Sequence, residues 1–258
     1  MLSLTKGRPI ARIEYKDKSD IPKDKSKRFI YISEDMENKK GLEEIHLGKN
    51  QTLVPLPNPK IREVLYVTGP SGSGKSHYSG NYIKEYLKMK KNQNNDYFVL
   101  SSVKSDQVLD KYNPIRIPID NELVNDPLTI DDFVDSIIVF DDIGTISNKK
   151  HSYCVNAIKD ELLEQGRHSN TTMVITSHLM SDYKSTRKTL NESTSVTFFP
   201  RSGSTYQIKQ FLKVYGGLEP WQIKKILKLP SRWITLYKTY PCYIIYEKGV
   251  FLCSKEQD

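Results

Sequence analysis

Short apolar runs separated by helically spaced apolar residues set the texture of the chain from residue 63 onward. Val64–Thr68, Tyr97–Ser101, 137–140, 172–176 and 195–199 are each four or five residues long and rich in Val, Ile, Phe and Tyr. Runs of that length and composition predict strands buried on both faces. Between them, Tyr78, Tyr82, Ile83, Tyr86 and Leu87 fall on one helical face, as do Val155, Ile158 and Leu162. Strands alternating with helices predict a parallel sheet covered on both sides, an α/β core over residues 61–200.

The flanks read differently. In residues 1–60, Ala11, Ile13 and Tyr15 alternate with Arg12 and Glu14, which is strand periodicity, and Phe29–Ile32 is a second strand candidate. A charged loop, 16–28, separates them, and Pro55, Pro57 and Pro59 form a stiff boundary. These residues predict a small β-rich N-terminal extension. Residues 201–258 predict a basic helical and β extension. Helices are expected around 206–214, ending at Gly216-Gly217, and over 219–227 before Pro230. Strands are expected at 233–237 and Tyr243–Tyr246, with a turn at Lys248-Gly249.

Composition narrows the class. With 258 residues there is room for one α/β domain with additions, or two small domains. No apolar run approaches the roughly 18 residues of a membrane span, and the first 20 residues hold no apolar segment of a secretory signal. Cys154, Cys242 and Cys253 are too widely spaced for a disulfide framework or a zinc site, which points to packing roles in a reducing compartment. The formal net charge is +8, unevenly placed: +4 over residues 1–60, −3 over 61–178 and +7 over 179–258. A basic flank can steer toward nucleic acid, or it can be a solvated Lys-rich surface in a chain with 30 Lys and 9 Arg. In the C-terminal third, Lys224, Lys225, Lys228 and Arg232 interleave with Trp221, Trp233 and Tyr237. That mixture either tracks a phosphate backbone or divides into core aromatics and solvated cations.

The chemistry sits between residues 69 and 178. Gly69-Pro70-Ser71-Gly72-Ser73-Gly74-Lys75-Ser76 fits the phosphate-loop pattern G-x-x-x-x-G-K-S/T, after an apolar strand and before an amphipathic helix. The glycines allow the turn and close backbone approach, and the loop N–H groups and helix N-terminus favour phosphate oxygens. Lys75 can then reach the β- and γ-phosphates of ATP, and the Ser76 hydroxyl can ligate Mg²⁺. The third apolar run ends in Asp141-Asp142. At the carboxyl end of a parallel strand, Asp141 is placed to hold the metal through its water shell, and Asp142 to orient and deprotonate an attacking water. The alternative for Asp142 is a helix cap.

The fourth run lies in GRHSNTTMVITSH, residues 166–178. Together with GPSGSGKS and IIVFDD, this segment resembles the viral genome-packaging ATPases of the FtsK–HerA superfamily, the poxvirus and giant-virus enzymes above all. The resemblance covers about residues 63–200. It implies an ASCE-type P-loop NTPase with a parallel five-stranded sheet between helices, in which the fourth strand lies between the phosphate-loop strand and the acidic strand. It places His178 where such motors usually carry a γ-phosphate-sensing Gln, with Ser177 as its neighbour. It implies an arginine finger from an adjacent subunit, for which Arg167 and Arg187 are the candidates. Residues 1–60 would be a reduced counterpart of the β-barrel that precedes HerA-type cores. The implied activity is ATP-driven translocation of double-stranded DNA by a homo-oligomeric ring, serving genome packaging with capsid or other packaging components. The setting would be the virion or the viral factory in the host cytoplasm. The rival readings are a nucleotide kinase-like phosphotransferase and an ATP-gated, helicase-loader-like adaptor.

Overall fold

The computed structural model describes residues 1–33, 42–58, 60–90, 96–182 and 184–253. The chain divides into two units, Pro59–Val196 and a second made of Met1–Asn58 with Thr197–Asp258.

In the N-terminal segment, β1 (Leu2–Ser3), β2 (Arg8–Tyr15), β3 (Phe29–Ile32) and β5 (Gln51–Pro55) form an antiparallel sheet in the order β1-β3-β2-β5. β4 (Glu44–His46) joins a different sheet described below. The alternation read in β2 is real: Ala11 and Ile13 are buried, while Arg12 and Glu14 face out and pair with each other at 3.1 Å. β5 ends at the first of the prolines that mark the boundary in the sequence. Pro55 itself closes the strand opposite Ala11.

In the core unit, β6 (Val64–Thr68), β7 (Tyr97–Ser101), β9 (Ile137–Asp141) and β10 (Thr172–Ser177) coincide with four predicted runs to within a residue. β11 (Ser195–Phe198) is the fifth. A two-residue strand, β8 (Ile115–Arg116), extends the sheet beyond β7. The order is β11-β6-β10-β9-β7-β8, and β6, β10, β9, β7 and β8 are mutually parallel. Every residue of β6 and β9 is buried, as two-sided burial requires. The helices α1 (Lys75–Met89), α2 (Asn121–Asn125), α3 (Lys149–Gln165) and α4 (Arg187–Glu192) connect these strands. α1 buries Tyr78, Tyr82, Ile83 and Tyr86, and two hydroxyls are anchored: Tyr82 on Glu63 at 2.6 Å and Tyr86 on the Ser136 carbonyl at 3.3 Å.

α3 starts at Asn148, whose side chain accepts from the Lys150 and His151 N–H groups, and stops at Gly166. Its last carbonyls are gathered by a side chain from another segment. The Arg62 guanidinium donates to the carbonyls of Leu162 and Leu163 and to that of Thr171 at 2.8 Å, tying the end of α3 to the start of β10. A cation is favoured at a helix C-terminus, though burial lowers the Arg62 pKa from its usual range.

The C-terminal segment forms α5 (Thr205–Val214), α6 (Pro220–Leu227), β12 (Ile234–Tyr237), β13 (Tyr243–Tyr246) and β14 (Gly249–Leu252). β12, β13 and β14 are antiparallel neighbours, and β14 accepts β4 from the N-terminal segment. Gly249, read in sequence as a turn residue, opens β14 instead. Tyr237, Tyr243, Ile245 and Val250 share one apolar core with Leu2, Ile10, Ile13, Ile30 and Leu53, so the two chain ends form one folded body. The basic–aromatic mixture separates accordingly. Trp233 packs on this core and Tyr237 stacks on Tyr243 at 4.5 Å. Arg232 pairs with Glu247 at 2.6 Å, and Lys225 pairs with Glu44 at 2.9 Å and sits over the Phe251 ring. Trp221, Lys224 and Lys228 remain exposed. Among the described residues, no helix is long and apolar enough to cross a membrane.

Replacing Arg62 by Met keeps the stem but removes several charge-assisted hydrogen bonds. It is expected to cost about 2 kcal/mol of stability, read as a lower denaturant midpoint at unchanged m-value.

Candidate nucleotide site

The loop after β6 is pinned to the tip of β10. The Gly69 N–H donates to the Ser177 carbonyl at 3.1 Å, and the Ser73 N–H closes the turn on the Pro70 carbonyl at 3.2 Å. Gly72 and Gly74 have φ of +74° and +107°, the left-handed region that a Cβ disfavours. Nothing lies within 4 Å of a Cβ built on Gly72, so the requirement there is conformational rather than steric. Gly74 is the N-cap of α1, so the loop runs directly into the positive end of a 15-residue helix. The Ser73 hydroxyl is buried without a hydrogen-bond partner among the described residues. An orphaned polar atom inside a glycine loop at a helix N-terminus fits a cradle for an anion.

Lys75 is 7% exposed, and its ammonium donates to the Gly69 carbonyl at 3.0 Å. It also lies 3.4 Å from His178 Nδ1 and 3.7 Å from Asp142 Oδ2. His178 Nε2 is 3.1 Å from the same Asp142 oxygen. An ammonium has only protons to offer, so Nδ1 accepts and the proton of a neutral ring sits on Nε2, toward Asp142. Three predicted residues thus meet at the mouth of the loop. They arrive from α1, from the end of β9 and from the end of β10.

Asp141 lies just behind them and is buried. Thr176 donates to its Oδ1 at 2.8 Å and Ser101 to its Oδ2 at 2.9 Å. Burial pushes the Asp141 carboxyl up; the two hydroxyls pull it partly back, while the Asp142 and Asp106 carboxylates add to the rise. Thr176 also accepts the Asp142 N–H at 2.9 Å, and Thr145 holds the Asp142 carbonyl at 2.8 Å. Asp142 is fixed at φ +44° between these contacts, a left-handed conformation rare outside Gly. A carboxylate with two hydrogen bonds keeps lone pairs for metal-bound water, and Ser76, half-buried in the first turn of α1, offers the phosphate loop's own hydroxyl as a metal ligand.

Thr176 and Ser101 were not singled out in the sequence. The signal was present, because each is a polar residue at the carboxyl tip of an apolar strand beside the acidic one. Ser177 turns out to cap the following turn, its hydroxyl accepting the Leu179 N–H. Arg167 and Arg187 do not join the cluster. Arg167 is exposed in the turn before β10, at the opposite end of that strand from His178, and β10 alone spans roughly 17 Å. Arg187 is exposed at the start of α4, where its neighbour Lys188 bridges Asp160 and Glu164 of α3.

Comparison with known proteins bears on this arrangement. No family model matches the chain. The V3 protein of Sputnik virophage, itself uncharacterised, is 45% identical over 221 residues, which is 85% of this chain and 87% of that protein. Among solved structures, the cytoplasmic domain of the type VII secretion ATPase EccC from Thermomonospora curvata matches with a TM-score of 0.52 at 12% identity, over 84% of this chain and 29% of that one. The genome packaging NTPase B204 of Sulfolobus turreted icosahedral virus 2, in complex with ATP-γS, gives a TM-score of 0.46 at 13% identity, over 78% of this chain and all of that one. Strand order and phosphate loop, with the likeness in fold to the EccC ATPase domain, define an α/β P-loop fold with a mostly parallel sheet. Within it, the chain belongs to the family of the Sputnik virophage V3 protein.

The burial of Asp141 has a measurable sign. A carboxyl whose folded pKa is raised stabilises the fold fully below its unfolded pKa, and that contribution is lost as pH rises through the folded value. Asp141→Asn removes the buried charge and keeps an acceptor for Thr176. The ligand-free variant is expected to melt above the wild type at pH 7, with the gap closing as pH falls toward about 4. Thermal melts of both proteins across that range check it.

Proposed function

We propose that this chain is an ATP-hydrolysing motor that moves double-stranded DNA and packages a viral genome. The observation that carries the reading is the meeting of Lys75, Asp142 and His178 at the phosphate loop, with Asp141 buried directly behind. The virophage relative and the resemblance of residues 166–178 to packaging ATPases support the viral setting.

The roles follow from the geometry. The N–H groups between Gly69 and Ser76 and the α1 N-terminus hold the phosphates of ATP, and Lys75 exchanges its Gly69 carbonyl for phosphate oxygens. Ser76 and the water-separated Asp141 are the residues that would hold Mg²⁺, which supplies charge neutralisation on the phosphates when bound. Without nucleotide, the Asp142 carboxylate is occupied by His178 and faces Lys75. Drawing Lys75 toward phosphate loosens that cluster and leaves Asp142 to orient and deprotonate the attacking water. His178 then has Nδ1 available as an acceptor beside the γ-phosphate, so it reports nucleotide state through the hydrogen bond it gains or loses. Arg167 lies at the opposite end of β10 from its own loop, so it would act as an arginine finger only toward a neighbouring subunit of a ring, and Arg187 is the second candidate for that role. Capsid components and the viral factory or virion are the partners and location this reading entails.

Turnover of ATP with and without double-stranded DNA, over a range of salt, tests the proposal. DNA is expected to stimulate hydrolysis, and Lys75→Ala to abolish it. Asp142→Asn is expected to lower kcat about 10²-fold or more while nucleotide binding stays within a few-fold. Absence of DNA stimulation at every salt concentration would sink the motor reading. Transfer of phosphate to a nucleotide acceptor would install the kinase instead, and full turnover in Asp142→Asn would remove the base.

A further inference from the structure

α5 and α6 contain no acidic side chain. Between them lies an open groove of about 840 Å³ whose floor is apolar, with Val214, Ile223 and Leu227, and whose rim carries Lys209, Lys213, Lys224 and Lys228. None of these four lysines forms an ion pair with a described residue, in contrast to Lys225, which is held by Glu44. Tyr206 and Val214 are 75% and 64% exposed. Surface this apolar, ringed by one sign of charge, marks an interaction site. A phosphodiester backbone would satisfy the rim and leave the floor unmatched. An acidic surface with apolar side chains of its own satisfies both.

The chain itself carries such a surface. Residues 120–135 hold Asp120, Glu122, Asp126, Asp131, Asp132 and Asp135 and no basic residue at all. Glu122, Asp126 and Asp131 are exposed, as is Val134 at 54%. Val124, Pro127 and Leu128 line a second apolar groove, of about 480 Å³, beside Tyr153, which is 79% exposed; Lys149 and Lys150 border it on the α3 side. We propose that the basic α5–α6 groove of one copy receives the acidic 120–135 face of a second copy. Each face repels itself, so a two-fold contact of either with its own kind is disfavoured. The complementary pairing is head-to-tail, the type that builds rings or filaments. It goes beyond the motor reading by assigning that ring its contact surfaces, and shares with it only the ring.

Sedimentation equilibrium of the full chain, with mass photometry at low concentration, tests it. Self-association is expected for the wild type and equally for Lys75→Ala, which separates assembly from turnover. Lys213→Glu/Lys224→Glu/Lys228→Glu is expected to weaken association at least tenfold. Glu122→Lys/Asp126→Lys/Asp131→Lys is expected to do the same. In a mixture of the two variants one contact has its signs exchanged and the other keeps the wild-type signs, so association is restored; combining all six substitutions in one chain exchanges the signs at every contact and restores it as well. Restoration also shows that the variants are folded, and circular dichroism checks each alone. A wild type that stays monomeric up to about 100 μM, with or without nucleotide and DNA, overturns the proposal. So does unchanged association in either triple variant, or failure of the mixture to recover. A groove variant that keeps its assembly and loses only DNA affinity would make the groove a nucleic-acid surface instead.

Discussion

Insertion of β10 between β6 and β9 is the constraint on which the site depends. The chain makes β6 and, later, β9, yet β10, made after both, lies between them, paired parallel to each: Ser177 opposite Thr68 and Ile175 opposite Phe140. A one-residue slip in either ladder would turn the tip of β10 over. It would also move the Ser177 carbonyl off the Gly69 N–H and Thr176 off Asp141. Lys75, Asp141, Asp142 and His178 lie up to 103 residues apart in sequence and meet only because three parallel strands end at one level. The same register explains the effort spent on the other end of β10. There, Arg62 holds the start of the strand against the end of α3 by donating to carbonyls of both segments.

The site is also held at some cost in stability. Asp141 is a buried carboxylate whose own environment disfavours its charge, and Asp142 sits in a conformation that non-glycine residues rarely adopt. Thr176 reconciles the two. Its hydroxyl proton goes to Asp141, and its oxygen accepts the Asp142 N–H, so one side chain fixes both carboxylates at their different depths. That difference separates their chemistry. The deep one has its oxygens bonded and little solvent; the shallower one faces Lys75 and His178, groups that can move when phosphate arrives. Strain and uncompensated charge at a site otherwise surrounded by well-packed strands are where a functional demand shows.

Much of the core was legible in the sequence because its strands are buried on both faces. Val64–Thr68 and Tyr97–Ser101 are continuous apolar runs, and burial on both sides leaves no other element of that length for such runs to form. The phosphate loop was legible because its glycines are needed for backbone reasons independent of context. The closure of the two chain ends into one unit was not legible. β4 and β14 pair Ile45 with Val250 across about 200 residues, and each strand is only three or four residues long. Short strands of that kind carry too little periodicity to be seen singly, and the proline boundary after β5 suggests a separate N-terminal piece. The partners of Asp141 were hidden for a different reason. Ser101 and Thr176 look like ordinary strand-end polar residues until the ladder places them on the same carboxylate.

The charge reads differently once the side chains are placed. A net of +8 in a Lys-rich chain says little alone, because a lysine can be a solvated surface group, a partner in an ion pair or part of a recognition surface. Folding sorts these uses by neighbour. Lys225 and Arg232 sit one helix-end apart from Lys224 and Lys228 in sequence, yet the first two are committed to Glu44 and Glu247. The last two stay unpaired beside apolar side chains. Unpaired lysines over an apolar floor are poorly explained by solubility, because the floor gains nothing from water. The acidic run at 120–135 poses the same question with the sign reversed. A chain whose α5 and α6 carry no acid and whose 120–135 segment carries no base has segregated its charge along these elements, and segregation of that kind favours contact between unlike surfaces over contact between like ones.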